Sequence, residues 1–279
     1  MTLIVVPTPV GNREDITARA LKVLATADVV ACEDTRHTGL LLDHYGIKAR
    51  LLSCHDHNER SRTAEIIGLL AEGKTVALVS DAGTPAVSDP GELVVREVLE
   101  AGYDVDVLPG PTAFVPALIL SGLPVHPATF WGFLPSKGTD RRKVLADLAD
   151  HRWTLVFYVS PHRLADELAD LAGAFGEDRP AALVREISKI HQETLRAPLG
   201  ELARQATEGR IRGEMVLVVA GRAPRTVDDA LWQEEGRTLL DQGKSLRDVV
   251  NLIAEGYGIP KNRIKSALLA KRRREEVEQ

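Results

Sequence analysis

Short runs rich in Val, Leu and Ile, each closed by turn-forming residues, alternate with longer stretches of helical periodicity as far as residue 221. This alternation constrains the fold more than any other feature. Short apolar runs bounded by turn formers read as buried strands, and strands that alternate with helices imply a parallel sheet with helices on its faces. In the first half the spacing predicts strands at residues 3–7, 28–32, 51–53, 75–80 and 105–108, with helices at 15–26, 58–72 and 90–101. A second series follows, with strands at 128–133, 154–160, 181–187 and 215–220 and helices at 139–150, 161–173 and 199–207. The fold class is α/β. The two series predict two lobes, residues 1–122 and 123–222, with a ligand cleft between them.

Beyond residue 222, stretches 227–240, 245–255 and 260–272 read as three helices, a small helical domain over 223–279. Leu246, Val249, Val250 and Ile253 keep the spacing of a helix's apolar stripe. A helix-turn-helix-like appendage and a helical cap on the preceding lobe both fit this pattern.

Of 279 residues, 44% are hydrophobic and 27% charged, which excludes collagen and long disordered chains. Lys and Arg number 35 against 40 Asp and Glu, a net charge of −5 that disfavours coating nucleic acid by bulk charge. A local basic face remains open, because steering depends on where the charge sits. Residues 261–279 carry seven cations against three anions, a net +4, which leaves −9 for the rest. Cys32 and Cys54 are the only cysteines, so no disulfide framework is expected. Met1–Pro9 has neither a basic region nor a long apolar one, and no run is long enough to span a bilayer. A cytoplasmic protein without membrane contact is the expectation.

Three Gly/Pro-rich turns close first-lobe strands: Pro7-Thr8-Pro9-Val10-Gly11-Asn12, Asp81-Ala82-Gly83-Thr84-Pro85 and Pro109-Gly110-Pro111-Thr112-Ala113. Ligands of open α/β sheets bind outside the carboxyl ends of the strands, and glycines there let a ligand approach the backbone. No G-x-G-x-x-G follows the first strand and no G-x-x-x-x-G-K-[ST] occurs, which weighs against dinucleotide and P-loop chemistry.

The first turn, with Glu33-Asp34-Thr35-Arg36 and the string Ser80-Asp81-Ala82-Gly83-Thr84-Pro85-Ala86-Val87-Ser88-Asp89-Pro90-Gly91, resembles hallmarks of the tetrapyrrole-methylase superfamily. More narrowly, it is similar to the superfamily's ribosomal RNA branch, small-subunit methyltransferase I. Pro109–Ala113, Gly132-Phe133-Leu134-Pro135, Ser160-Pro161-His162-Arg163 and Arg185-Glu186-Ile187-Ser188-Lys189-Ile190-His191 extend the match in order over about residues 3–221. The resemblance implies a two-lobed, homodimeric enzyme that uses S-adenosyl-L-methionine to methylate the 2′-hydroxyl of a cytidine in the decoding region of 16S ribosomal RNA. By motif position it implies a cofactor held by Pro9, Gly11, Ser80, Asp81, Val87, Thr112 and Ala113, with Tyr158, Ala182 and Arg185 closing from the second lobe. Asp81 has a second reading, as a cap on its own turn.

A ribose hydroxyl is a weak acid, so its methylation benefits from a base or from a cation beside the forming alkoxide. Polar candidates cluster at His55-Asp56-His57-Asn58-Glu59-Arg60 and at Arg185–His191. Lys189 and Glu186 are the favoured catalytic pair; a solvated ion pair is the alternative. If the strand persists, Arg185, Ile187 and Lys189 share one face. Cys54-His55-Asp56-His57 lacks the spacing of a zinc site, and no metal is expected. Candidate RNA contacts are Arg36, Lys137, Arg141, Arg142, Arg163 and, in the tail, Arg272 and Arg273. Phe130, Trp131 and Phe133 are candidates for stacking a base, or else core.

Overall fold

The computed structural model describes residues 2–209, 211–223 and 228–275, with side chains through residue 269. Within Met1–Arg222, one of the two units into which the chain divides, lie two five-stranded sheets. The first is built from β1 (Thr2–Val5), β2 (Val29–Cys32), β3 (Leu51–Ser53), β4 (Val76–Val79) and β5 (Asp104–Val107), in the order β3-β2-β4-β1-β5. Every pairing is parallel. β2 and β4 are buried at all positions, which is why they read as unbroken apolar runs.

The crossovers are α1 (Ala18–Thr26), α2 (Thr35–His44), α3 (Glu59–Ala71) and α4 (Glu92–Glu100). Leu3, Ile66, Leu70 and Val94 anchor the core on one face; Val6, Leu24, Val30 and Cys32 anchor the other. Each fully buried aliphatic side chain contributes roughly 1.5–3 kcal/mol. The chain leaves β1 across β4 toward β2, and leaves β4 across β1 toward β5. The two loops diverge and open a crevice at the carboxyl ends of this central pair.

α5 (Phe114–Ser121) follows the first sheet in sequence yet packs on the second, where Ala117 meets Val156, Val184, Val216 and Val218. Arg196 donates to the Ser121 carbonyl at 3.2 Å, and Thr154 Oγ1 to the Pro124 carbonyl at 2.7 Å. The second sheet comprises β6 (Ala128–Phe133), β7 (Thr154–Val159), β8 (Pro180–Arg185), β9 (Glu193–Pro198) and β10 (Met215–Val219), ordered β6-β7-β10-β8-β9. Only β6–β7 is parallel; β10 runs against both β7 and β8, and β9 returns from β8 as a hairpin. The all-parallel arrangement that alternation implies thus holds for the first sheet alone. Packed on Leu183 and Leu217, α6 (Gly138–Leu148), α7 (Leu164–Phe175) and α8 (Leu199–Thr207) cover the face opposite α5.

The other unit, Ala223–Gln279, holds α9 (Asp229–Asp241), α10 (Leu246–Tyr257) and α11 (Lys261–Glu275). Trp232, Val249, Ile253, Ile264 and Leu268 form its core, and Ser245 and Asp228 cap two of its helices. Among the described residues no helix is long and apolar enough to cross a membrane.

Candidate active site

The three Gly/Pro turns converge. Thr8 and Gly83 exchange backbone hydrogen bonds of 2.8 and 3.0 Å, tying the loop after β1 to the loop after β4. Thr8 Oγ1 donates to the Ser80 carbonyl at 3.0 Å, and Thr84 Oγ1 to the Pro111 carbonyl at 2.9 Å. Beside them lies a cavity of about 350 Å³. Val10, the stretch Ala82–Thr84, Val87, Asp89 and Ala113 form one wall. Phe133, the stretch Tyr158–Pro161, Ile187 and Glu214–Val216 form the other, so both sheets contribute.

The walls are built from backbone that L residues rarely adopt. Ala86, Ser88, Glu186 and Ser188 are the four non-glycine residues with positive φ among those described, and all fall in two loops that line this cavity or its rim. Such conformations cost about 1–3 kcal/mol each and persist where the surroundings impose them. Ser88 is held where a Cβ on Gly132 would lie 2.6 Å from its hydroxyl, and Gly132 itself has φ +83° in a bulge of β6. Across the rim, Ser188 hydrogen-bonds Asp15, and a Cβ on Gly11 would lie 2.5 Å from the Ile187 carbonyl oxygen.

Of the residues expected at a cofactor, Val87, Ala113 and Tyr158 line the cavity. Pro9, Gly11, Ser80, Asp81 and Thr112 sit one or two positions from lining residues, in the same turns. Asp81 accepts the Asp34 backbone N–H at 3.3 Å, so its carboxylate braces two turns together. Ala182 is fully buried within β8, and Arg185 is engaged by Glu193 at 2.6 Å; neither lines the cavity. On this side the wall is lined by Met215 and Val216 of β10, the middle strand of the second sheet.

β8 ends at Arg185, and the left-handed turns at Glu186 and Ser188 break the alternation that would place Lys189 on a strand face. Lys189 Nζ lies 3.2 Å from Glu186 and 3.0 Å from Glu214. Burial alone would lower its pKa, but the Glu214 and Glu186 carboxylates outweigh that and raise it. Glu186 is lowered, first by accepting the Glu214 backbone N–H. Both shifts favour the charged forms, so Lys189 and Glu186 stand at the rim as an ion pair.

Sequence reasoning passed over Asp89 as a chemical group, although it stands in the Ser80–Gly91 string. It lines the cavity, and its pKa is pushed up to about 6 by burial and by the Asp81 and Asp56 carboxylates, against a hydrogen bond with Ser80. Glu33 is raised too, by burial and then by Asp81, Asp89, Asp56 and Asp34. Among the described residues no group of three or more of these side chains is placed to hold a metal ion.

Arg141 is withdrawn from the surface: its side chain is 5% exposed, paired with Asp170 at 2.6 Å and turned toward the Pro135 and Ser136 carbonyls. Arg163 is tied to buried Glu167 at 2.9 Å. Arg36, Lys137 and Arg142 are exposed. The side chains of Arg272 and Arg273 lie outside the described residues. Phe130 is partly buried, stacked on Phe114 at 4.5 Å, whereas Phe133 and Trp131 are about half exposed and Phe133 reaches the cavity.

Residues 2–203 match the family described as Tetrapyrrole (Corrin/Porphyrin) Methylases. A protein of Escherichia coli O157:H7 named ribosomal RNA small subunit methyltransferase I is 46% identical over 262 residues, covering 93% of this chain and 92% of its own. One of the same name from Micromonospora olivasterospora is 48% identical, covering 94% and 84%. Among solved structures, uroporphyrin-III C-methyltransferase from Thermus thermophilus complexed with S-adenosyl homocysteine matches at a TM-score of 0.55 and 20% identity, over 78% of this chain and 96% of that one. The chain belongs to the tetrapyrrole methylase family and, within it, to the ribosomal RNA small subunit methyltransferase I group.

Proposed function

We propose that this chain is an S-adenosyl-L-methionine-dependent methyltransferase that modifies the 2′-hydroxyl of a cytidine in the decoding region of 16S ribosomal RNA, acting in the cytoplasm as a homodimer. The observation that carries this reading is near-full-length similarity, above 40% identity, to relatives bearing the ribosomal RNA name.

The cavity suits the cofactor. Its size falls within the range of small-molecule sites. Gly83 is engaged by Thr8 through both its N–H and its C=O, which leaves the N–H groups of Ala82, Thr84 and Ala113 as the backbone donors of this wall, while Val10, Val87, Phe133, Tyr158 and Met215 supply apolar and aromatic surface. Pro9, Gly11, Ser80, Asp81 and Thr112 stand beside these lining residues in the same turns. Bound there, the cofactor supplies a methyl group on a sulfonium cation. The chain's part is chiefly orientation: the Thr8–Gly83 bridge and the Thr84–Pro111 bond fix the wall against which the acceptor oxygen and the methyl carbon align. Lys189, held between Glu186 and Glu214, is neutralised by these two carboxylates and ties the 186–192 loop to the start of β10 at the rim. Arg36, Lys137 and Arg142 are the exposed cations this reading assigns to RNA phosphates; such contacts position the strand and carry no sequence information.

The test is methyl transfer from labelled S-adenosylmethionine to small ribosomal subunits from cells lacking this protein, with the product mapped by nucleoside analysis. A 2′-O-methylcytidine product is expected. Incorporation into a tetrapyrrole precursor instead, with none into the subunits, overturns the reading.

A further inference from the structure

Three titratable side chains line the cavity wall: Asp89, Tyr158 and Glu214. Glu214 is 71% exposed and engaged by Lys189. The Tyr158 hydroxyl meets Thr112, and burial pushes this phenol further above its ordinary range, so it stays protonated. Asp89 differs from both: among the described residues it has no cationic partner, and its carboxyl meets the Ser80 hydroxyl, while Asp81, Asp56 and Glu33 approach from the ends of neighbouring strands. Left-handed backbone on either side, at Ser88 (φ 65°) and Gly91 (φ 129°), fixes where it points, and Gly132 fits against Ser88.

We propose that Asp89 is the catalytic residue that accepts the proton of the ribose 2′-hydroxyl, an inference that rests on the methyltransferase reading above. The O–H bond breaks and its proton passes to the Asp89 carboxylate. The oxygen's electron pair forms the new O–CH3 bond, and the S–CH3 bonding pair stays on sulfur, so a sulfonium becomes a neutral thioether. Asp89 then releases the proton to water, and the charge balances. A carboxylate without a cation beside it is a stronger base than a paired one, and a cavity group titrating near 6 is ionised at neutral pH yet still able to hold a proton.

The test uses the full chain. Single-turnover methylation of small subunits is followed against pH for the wild type, Asp89→Asn and Asp89→Glu, with S-adenosylhomocysteine affinity measured by calorimetry. Asp89→Asn is expected to slow transfer roughly 100- to 1,000-fold while cofactor-product affinity stays within about threefold. The wild-type rate rises with pH to a plateau with an inflection near 6, and Asp89→Glu moves that inflection. A rate in Asp89→Asn close to wild type, an inflection that survives in either variant unchanged, or a rate loss matched by lost affinity overturns the assignment. If Asp89→Asn does not fold, the inflection of Asp89→Glu decides. A wild type that binds no S-adenosylhomocysteine and methylates no subunit instead overturns the methyltransferase reading itself, which keeps the two failures distinct.

Discussion

At Asp89 the local electrostatics that suit a base also oppose folding. A carboxyl whose pKa in the folded state lies above its unfolded value favours folding while protonated. That contribution is lost as pH climbs from the ordinary Asp range through about 6. Above 6 the ionised group is held near Asp81 and Asp56 with burial against it, so its neutral isostere relieves a cost. Asp89→Asn is therefore expected to raise Tm at pH 7.5 by roughly 2–4 °C, with the gain shrinking below pH 6 and vanishing near 4. Thermal melts of both proteins across that range check it; a lower Tm at pH 7.5 contradicts the sign. The same residue scale shows what a sequence conceals. Arg141 and Arg142 are neighbours with one side-chain type, and only burial separates them: Arg141 is buried beneath α7's Asp170, while Arg142 is 59% exposed. Charge is legible in a sequence, but the face of a helix that meets a later helix is not.

Between elements, the cavity depends on how closely two loops approach across its rim. A Cβ at Gly11 would stand 2.5 Å from the Ile187 carbonyl oxygen and 2.7 Å from Lys189 Cγ, and the first of these is backbone that cannot rotate aside. Gly11→Ala is expected to push residues 186–192 off the rim, weakening S-adenosylhomocysteine binding and methyl transfer at least tenfold, a loss of about 1.4 kcal/mol. Tm should move little, because Gly11 is exposed and outside both cores of the first sheet. Calorimetry with melting curves separates the two effects. Elements with strong periodicity were readable: β6 and α8 match their predicted spans, and most other strands shift by one or two residues. α2 was not, since Thr35, His37 and Gly39 are weak helix formers and its support is the Asp34 cap. Pro116 inside the short apolar run of α5 hid that helix, and β9 is a half-exposed edge strand with little apolar signal. The direction of β10 against β7 and β8 depends on a non-sequential strand order, which local pattern does not encode. The three turns of the site were legible because Gly and Pro mark backbone shape directly; the role of Asp89 was not, because it follows from which carboxylates the fold gathers around it.

Across the whole chain, every residue lining the cavity belongs to Met1–Arg222, while Ala223–Gln279 has its own core around Trp232. Cofactor binding and any RNA grip by the tail are therefore separable. Ending the chain after Arg222 removes residues 223–279, a net charge of +1 that is concentrated as +4 over residues 261–279, and leaves both sheets intact. The shortened protein is expected to bind S-adenosylhomocysteine as tightly as the full chain. Its affinity for small ribosomal subunits should fall, and its salt dependence should flatten. For every RNA phosphate that the tail no longer neutralises, the slope of log K against log salt becomes shallower by about 0.7–0.9. Titrations from 50 to 200 mM salt therefore resolve even one or two phosphates. A slope unchanged by truncation would make the helical extension a solubilising terminus and put all RNA recognition on Met1–Arg222, with Arg36, Lys137 and Arg142 as the side chains to substitute next.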